Sequence, residues 1–237
     1  MNVSIMYSGG LDSVTMYHYA IKQGLTPILI YVDMFHPYAE QELEAMKNRN
    51  VKVIKMDLYP QIEHRLSNQI IPSRNLLLAT IGSMFSDRVW IGALDGEQRG
   101  KERDKSQRFF YDTTSLLTYL NNFFQELTLV EAPFMNKSKK EVIEWALNNG
   151  VDEEELLNSR SCYSNEDTEC GKCLTCVKRH MALWLNGIDD GNKEEVTNSD
   201  YFEELITEIP KANRLRDYSR FSKKRIKEFN DYLLCRN

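Results

Sequence analysis

Short runs of β-branched and apolar residues alternate, over the first 150 positions, with longer stretches in which apolar residues recur every three or four places. The runs at 3–7 (VSIMY), 27–32, 51–56, 89–91 and 127–130 read as strands. Between them the spacing predicts helices over 12–22, 40–47, 75–85 and 113–125. Ser138 and Glu141 stand three apart, as in a capping box, so a helix starts there and ends near Gly150. Short strands separated by helices of this length build βαβ units. The predicted fold is therefore α/β: a doubly wound, Rossmann-like parallel sheet covered on both faces, with ligands at the carboxyl ends of the strands.

The pattern changes after residue 152. Residues 153–186 read as a small cysteine-bearing module. Residues 187–237 read as a polar stretch followed by a tail with helices at 201–208 and 222–234. The basic residues of that tail, among them Arg220, Lys224 and Arg225, read as a solvated helix face. The segment 95–112 is polar and contains glycine, so it reads as a long functional loop.

Composition narrows the class without deciding it. The 237 residues are 42% hydrophobic and 27% charged, with a net charge of -5, values ordinary for a globular domain that buries its own core. The acidic balance argues against a dedicated nucleic-acid binder. There is no apolar run of membrane-spanning length and no signal-peptide pattern, so the expected location is the cytoplasm.

Two constellations carry chemistry. Ser8-Gly9-Gly10-Leu11-Asp12-Ser13 follows the first predicted strand and opens the first helix. The glycine pair lets the backbone turn sharply, and successive N–H groups at a helix start form an anion site. A Walker loop needs a lysine just after its glycines; none is present, which fits an AMP-forming reaction better than γ-phosphoryl transfer. Asp12 repels phosphate unless it anchors the loop or holds a Mg2+ that bridges ATP. The second constellation is Cys162, Cys170, Cys173 and Cys176, spaced C-x7-C-x2-C-x2-C. In a reducing compartment such a cluster reads as metal ligands. Four thiolates make a closed tetrahedral site, structural rather than catalytic, and zinc ranks ahead of an iron–sulfur cluster. His180 reads as a helix-surface residue and Cys235 as a free thiol.

Ser8 to Ser13 resembles the signature of the PP-loop superfamily of N-type ATP pyrophosphatases, whose fold is adenine nucleotide alpha hydrolase-like. The stretch Ser161-Cys162-Tyr163, followed by Cys170-Gly171-Lys172-Cys173 and Cys176 to Arg179, closely resembles the zinc module of the 7-cyano-7-deazaguanine synthase family. Pro72-Ser73-Arg74-Asn75, the Ile91-Gly92-Ala93 region, and Pro133 through Lys139 and Glu141 extend the resemblance over about residues 1–185. It implies that 7-carboxy-7-deazaguanine is adenylated by ATP, aminated by ammonia to the amide, adenylated again and dehydrated to the nitrile. AMP and pyrophosphate leave, and Mg2+ assists. Catalytic residues implied are Asp12, Arg74 and Lys139, with Ser8 to Ser13 and Asp33 for the nucleotide. Asp95, Asp104 and Lys105 are the implied substrate residues, and the four cysteines hold structural zinc.

The resemblance departs in the segment Gly100 to Phe110, which lacks the family's tyrosine, proline and cysteine. The alternative is therefore a related enzyme that adenylates or amidates a different deazaguanine or acceptor, such as DNA or a protein amine. The chain carries no glutaminase segment, so ammonia is free or delivered by a partner, and a homodimer is compatible with the reading.

Overall fold

The computed structural model describes residues 1–66, 70–97, 104–121 and 127–235. The predicted residues 100–103 of the divergent segment and 122–125 of the fourth helix lie outside the described residues. The run at the N-terminus becomes the central strand because alternate residues serve two cores: Val3 and Ile5 face one layer, Met6 the other. This strand, β1 (Asn2–Met6), pairs in parallel with β2 (Thr26–Asp33) and with β4 (Arg88–Trp90), placing Ile5 opposite Leu29 and Trp90. β3 (Val51–Lys55) pairs with β2, and β5 (Leu129–Glu131) with β4. Among the described residues the sheet thus has five parallel strands in the order β3-β2-β1-β4-β5. Strand order reverses at β1 and β4, where a doubly wound sheet opens a crevice at its carboxyl edge.

The helices follow in chain order as α1 (Leu11–Lys22), α2 (Ala39–Ala45), α3 (Tyr59–Ile62), α4 (Arg74–Ser83), α5 (Gln107–Leu120) and α6 (Lys139–Asn148). Val14, Met16 and Ala20 of α1 join Val142, Ile143 and Ala146 of α6 over one face of the sheet. Ala79 and Ile81 of α4 join Phe110 and Leu117 of α5 over the other. Helix α4 lies so close to β4 that a Cβ at Gly82 would come within 2.5 Å of Val89. The doubly wound prediction holds.

Beyond them come α7 (Glu153–Leu157), α8 (Leu174–Trp184), α9 (Lys193–Thr197), α10 (Asp200–Leu215) and α11 (Lys223–Cys235). Val177 and Met181 of α8 form a third core with Phe202, Leu205 and Ile209 of α10 and Ile226, Phe229 and Tyr232 of α11. No helix among the described residues is long and apolar enough to cross a membrane.

Several expectations change. The segment 95–112 is not loop throughout, because α5 starts at Gln107: Ser106 caps it by accepting the Phe109 N–H at 3.1 Å, and Phe110, Thr113 and Leu117 form its buried stripe. The helix expected at 201–208 runs on to Leu215 through Pro210, since burial of Ile209 on the third core outweighs the lost backbone donor. The tail is not simply solvated. Lys224 reaches the Asn136 carbonyl and the Glu141 carboxylate, both at 2.7 Å, and Arg225 donates to the Tyr201 hydroxyl. His180 is fully buried rather than on a helix surface, hydrogen-bonded to Asp190 at 2.5 Å and to the Tyr232 hydroxyl at 3.0 Å.

Candidate active site

After β1 the chain turns through Ser8-Gly9-Gly10 into α1. Gly9 has φ +69°, and a Cβ there would approach the Met46 side chain to 2.9 Å, so both conformation and space require glycine. Ser13 Oγ accepts the Ser8 N–H at 3.3 Å and donates to the Gly10 carbonyl at 2.8 Å, which fixes the turn from inside. From outside, the Arg160 N–H donates to the Gly9 carbonyl at 3.0 Å. The first-turn N–H groups of α1 have no partner within the helix and carry its positive dipole end. Such a turn could hold an anion.

Lys139 is the first residue of α6, set there by the capping box in which Ser138 Oγ and the Glu141 carboxylate each accept the other's N–H, at 3.2 and 2.8 Å. Its ammonium donates to both oxygens of Asp12, at 2.8 and 2.9 Å. Residues 127 positions apart are thus joined beside the loop.

A cavity of about 260 Å³ opens there, and it brings together Ser8, Gly10, Leu11, Asp12, Ser13, Arg74, Lys105 and Lys139 of the expected residues. Gly9 contributes through its backbone turn. Three others lie elsewhere. Asp33 is buried and turns its carboxylate onto the Phe35 N–H at 2.9 Å, closing the turn after β2. Asp104 lines a separate groove beside Ile71 and Ser73, and its backbone carbonyl accepts from Asn75 at 3.1 Å. Asp95 lines a smaller neighbouring cavity walled by α8 and α11, and its buried Oδ2 has no hydrogen-bond partner. That cavity shares Glu97, Lys139 and Lys178 with the main cleft.

Charge in the cleft is mostly paired. Lys105 meets Glu97 at 3.2 Å. Arg74 lines the cleft and forms no ion pair among the described residues. Residues that the pattern of the chain did not single out also face it. Burial pushes Glu42 up to about 7, despite the hydrogen bond that its Oε2 accepts from the Tyr31 hydroxyl at 2.7 Å. Burial, with Arg74 beside it, lowers His36 to about 4, and that ring stacks on Tyr38 at 4.9 Å and 14°. Tyr38 in turn packs on Tyr163, whose centroid lies 5.3 Å away. Only a weak signal pointed to Glu42, its place after the second strand. None pointed to His36.

The sulfur atoms of Cys162, Cys170, Cys173 and Cys176 all lie within 4.8 Å of one another. Four thiolates gathered this closely could hold a tetrahedral metal ion such as zinc. The Ser164 and Cys170 N–H groups donate to the Cys162 sulfur at 3.3 Å each, and thiol donors from Cys173 and Cys176 hold it well below the usual thiol range. Arg179 braces the module from beneath: nearly fully buried, it donates to Glu169 at 3.0 Å and to the Leu157 carbonyl at 2.7 Å. Arg160 organises the rim, donating to the carbonyls of Ser164, Glu166 and Asp167.

The chain is similar along most of its length to known proteins. A 7-cyano-7-deazaguanine synthase from Psychromonas ingrahamii is 24% identical over 217 residues, covering 79% of this chain and 95% of that one. One from Archaeoglobus fulgidus is 26% identical over 218 residues, covering 80% and 89%. Among solved structures, a predicted subunit of tRNA methyltransferase from Methanocaldococcus jannaschii overlaps 81% of this chain and 91% of its own, at 18% identity and a TM-score of 0.43. The family model described as queuosine biosynthesis protein QueC matches residues 48–187, more than half of the 237, and the chain belongs to that family.

Proposed function

We propose that this chain converts 7-carboxy-7-deazaguanine and ammonia to 7-cyano-7-deazaguanine at the expense of ATP, in the cytoplasm. One observation carries the reading: the Ser8–Ser13 anion cradle, the Asp12–Lys139 pair and the unpaired Arg74 meet in a single cleft. Residues 1–152 form the adenylating unit in this reading, 153–186 the metal-bearing module and 187–237 an extension that walls the neighbouring cavity.

The substrate carboxylate oxygen attacks the α-phosphorus of ATP, and pyrophosphate leaves into the cradle. Ser8, Ser13 and the first-turn N–H groups hold its oxygens, while Lys139 and Arg74 offset the charge that builds up at the phosphates. Ammonia adds to the acyl carbon, the bond to AMP breaks, and an amide forms. A second adenylation, on the amide oxygen, is followed by loss of AMP to give the nitrile. The protein contributes positioning and charge; no side-chain nucleophile is needed. Asp12 would hold Mg2+, which supplies further positive charge to the phosphates. The four cysteines would hold zinc as a structural ion.

Purified protein incubated with ATP, Mg2+, ammonium and 7-carboxy-7-deazaguanine is expected to yield the nitrile, AMP and pyrophosphate, read by mass spectrometry. AMP formation without the nitrile would retire the substrate assignment and point to another acceptor.

A further inference from the structure

Three carboxylates line the cleft among the described residues, and two of them are already occupied. Asp12 holds Lys139, and Glu97 holds Lys105. Among the described residues Glu42 forms no ion pair, and its Oε2 accepts from the Tyr31 hydroxyl. A second observation lies in the same cleft. Both ring nitrogens of His36 are buried without a hydrogen-bond partner, although that ring is held in place by Tyr38 and by Tyr59, 4.6 Å away. A buried polar edge left unmatched is costly, and such groups in a cleft are commonly satisfied by what binds there. His36, Glu42, Tyr38 and Arg74 all line that one cleft.

The chemistry that fits is specific. A guanine-type edge presents two adjacent donors, N1–H and the 2-amino group, next to a keto acceptor. A carboxylate accepts from both donors, and each of its oxygens has lone pairs to spare. An adenine edge offers an acceptor at N1 beside its amine, which opposes a carboxylate oxygen. Asp104, the carboxylate at the corresponding place in the family pattern, lines a different groove.

We infer that Glu42 reads the N1–H and 2-amino donors of the 7-deazaguanine base, with His36 donating to its keto oxygen. The inference rests on the deazaguanine reading above and adds to it the residue that selects the base.

The experiment compares 7-carboxy-7-deazaguanine with its analogue lacking the 2-amino group, on the full chain and on Glu42→Gln and Glu42→Asp. The unaltered protein should prefer the amino compound by about tenfold or more in kcat/KM, as sites built around a substrate N–H do. In Glu42→Gln that ratio should fall toward one while KM for ATP stays within about twofold. Glu42→Asp keeps the acceptors but withdraws them by one methylene, so it should recover part of the preference even if the glutamine variant does not fold. A ratio unchanged in both variants overturns the inference. So does a rise in KM for ATP matching that for the base, which would place Glu42 on adenine. If the unaltered protein turns over neither compound, the deazaguanine reading itself falls, and this result is distinct from an unchanged ratio.

Discussion

Lys139 and Asp12 neutralise each other beside an anion cradle, an arrangement that keeps a lysine ordered until phosphate arrives. Lys139→Ala should leave the fold intact and lower pyrophosphate release by about 10²- to 10³-fold, as the loss of one aimed donor does in other electrostatically driven active sites. Glu42 makes a prediction of opposite character, on stability. Its carboxyl is raised from 4.5 to about 7 in the folded chain, so between those values the folded state binds more protons than the unfolded one. Stability must then fall as pH rises through that window. His36, lowered from 6.5 to about 4, acts the other way: its share is lost as pH falls from 6.5 toward 4. The two partly cancel in the unaltered protein. In Glu42→Gln the opposing Glu42 share is removed, so that denaturant melts between pH 5 and 7 gain stability with pH relative to the parent, by on the order of 1 kcal/mol after allowance for solvent screening. Identical pH slopes in parent and variant would refute the assignment.

At the level of elements, the start of α6 does two jobs, taking over the chain after β5 and aiming Lys139. Ser138 caps it and also hydrogen-bonds Glu228 of α11. Ser138→Ala should cost about 1–2 kcal/mol in chemical unfolding, at the upper end for a cap because a second contact is lost with it. This cap was plain in the sequence, since Ser138 and Glu141 are local signals with a fixed spacing. So were β1, β2 and α1, whose alternation or three-to-four spacing depends only on which face is buried. The start of α5 was hidden because Lys105-Ser106-Gln107-Arg108 is polar, and the stripe through Phe110, Thr113 and Leu117 gains meaning only against α4 and β5. The part of the cleft around Glu42 and His36 was hidden for a deeper reason. Which carboxylate is free depends on which lysine reaches the others, and the Asp12–Lys139 pairing spans 127 positions. His180 likewise looked like a surface residue because its partners, Asp190 and Tyr232, follow 10 and 52 positions later.

Across the whole molecule, α8 joins two of the three cores. Ala182 and Leu183 of α8 enter the sheet core, while Val177 and Met181 of the same helix anchor the tail. The same helix carries Cys176 and Lys178, so the tail, the cysteine module and the cleft all meet on α8. The shortest mechanical link between the cysteine module and the nucleotide cradle is the single hydrogen bond from the Arg160 N–H to the Gly9 carbonyl, two residues before Cys162. A thermodynamic cycle makes that bond reciprocal: whatever factor zinc adds to the affinity for ATP, ATP must add to the affinity for zinc. Stripping the metal with a chelator should weaken ATP binding by about five- to tenfold in calorimetry, and saturating ATP should tighten zinc binding by the same factor in an equilibrium competition with the chelator. If both halves of that prediction hold, a zinc shortage would be felt as a loss of nucleotide affinity as well as of stability in the cysteine module.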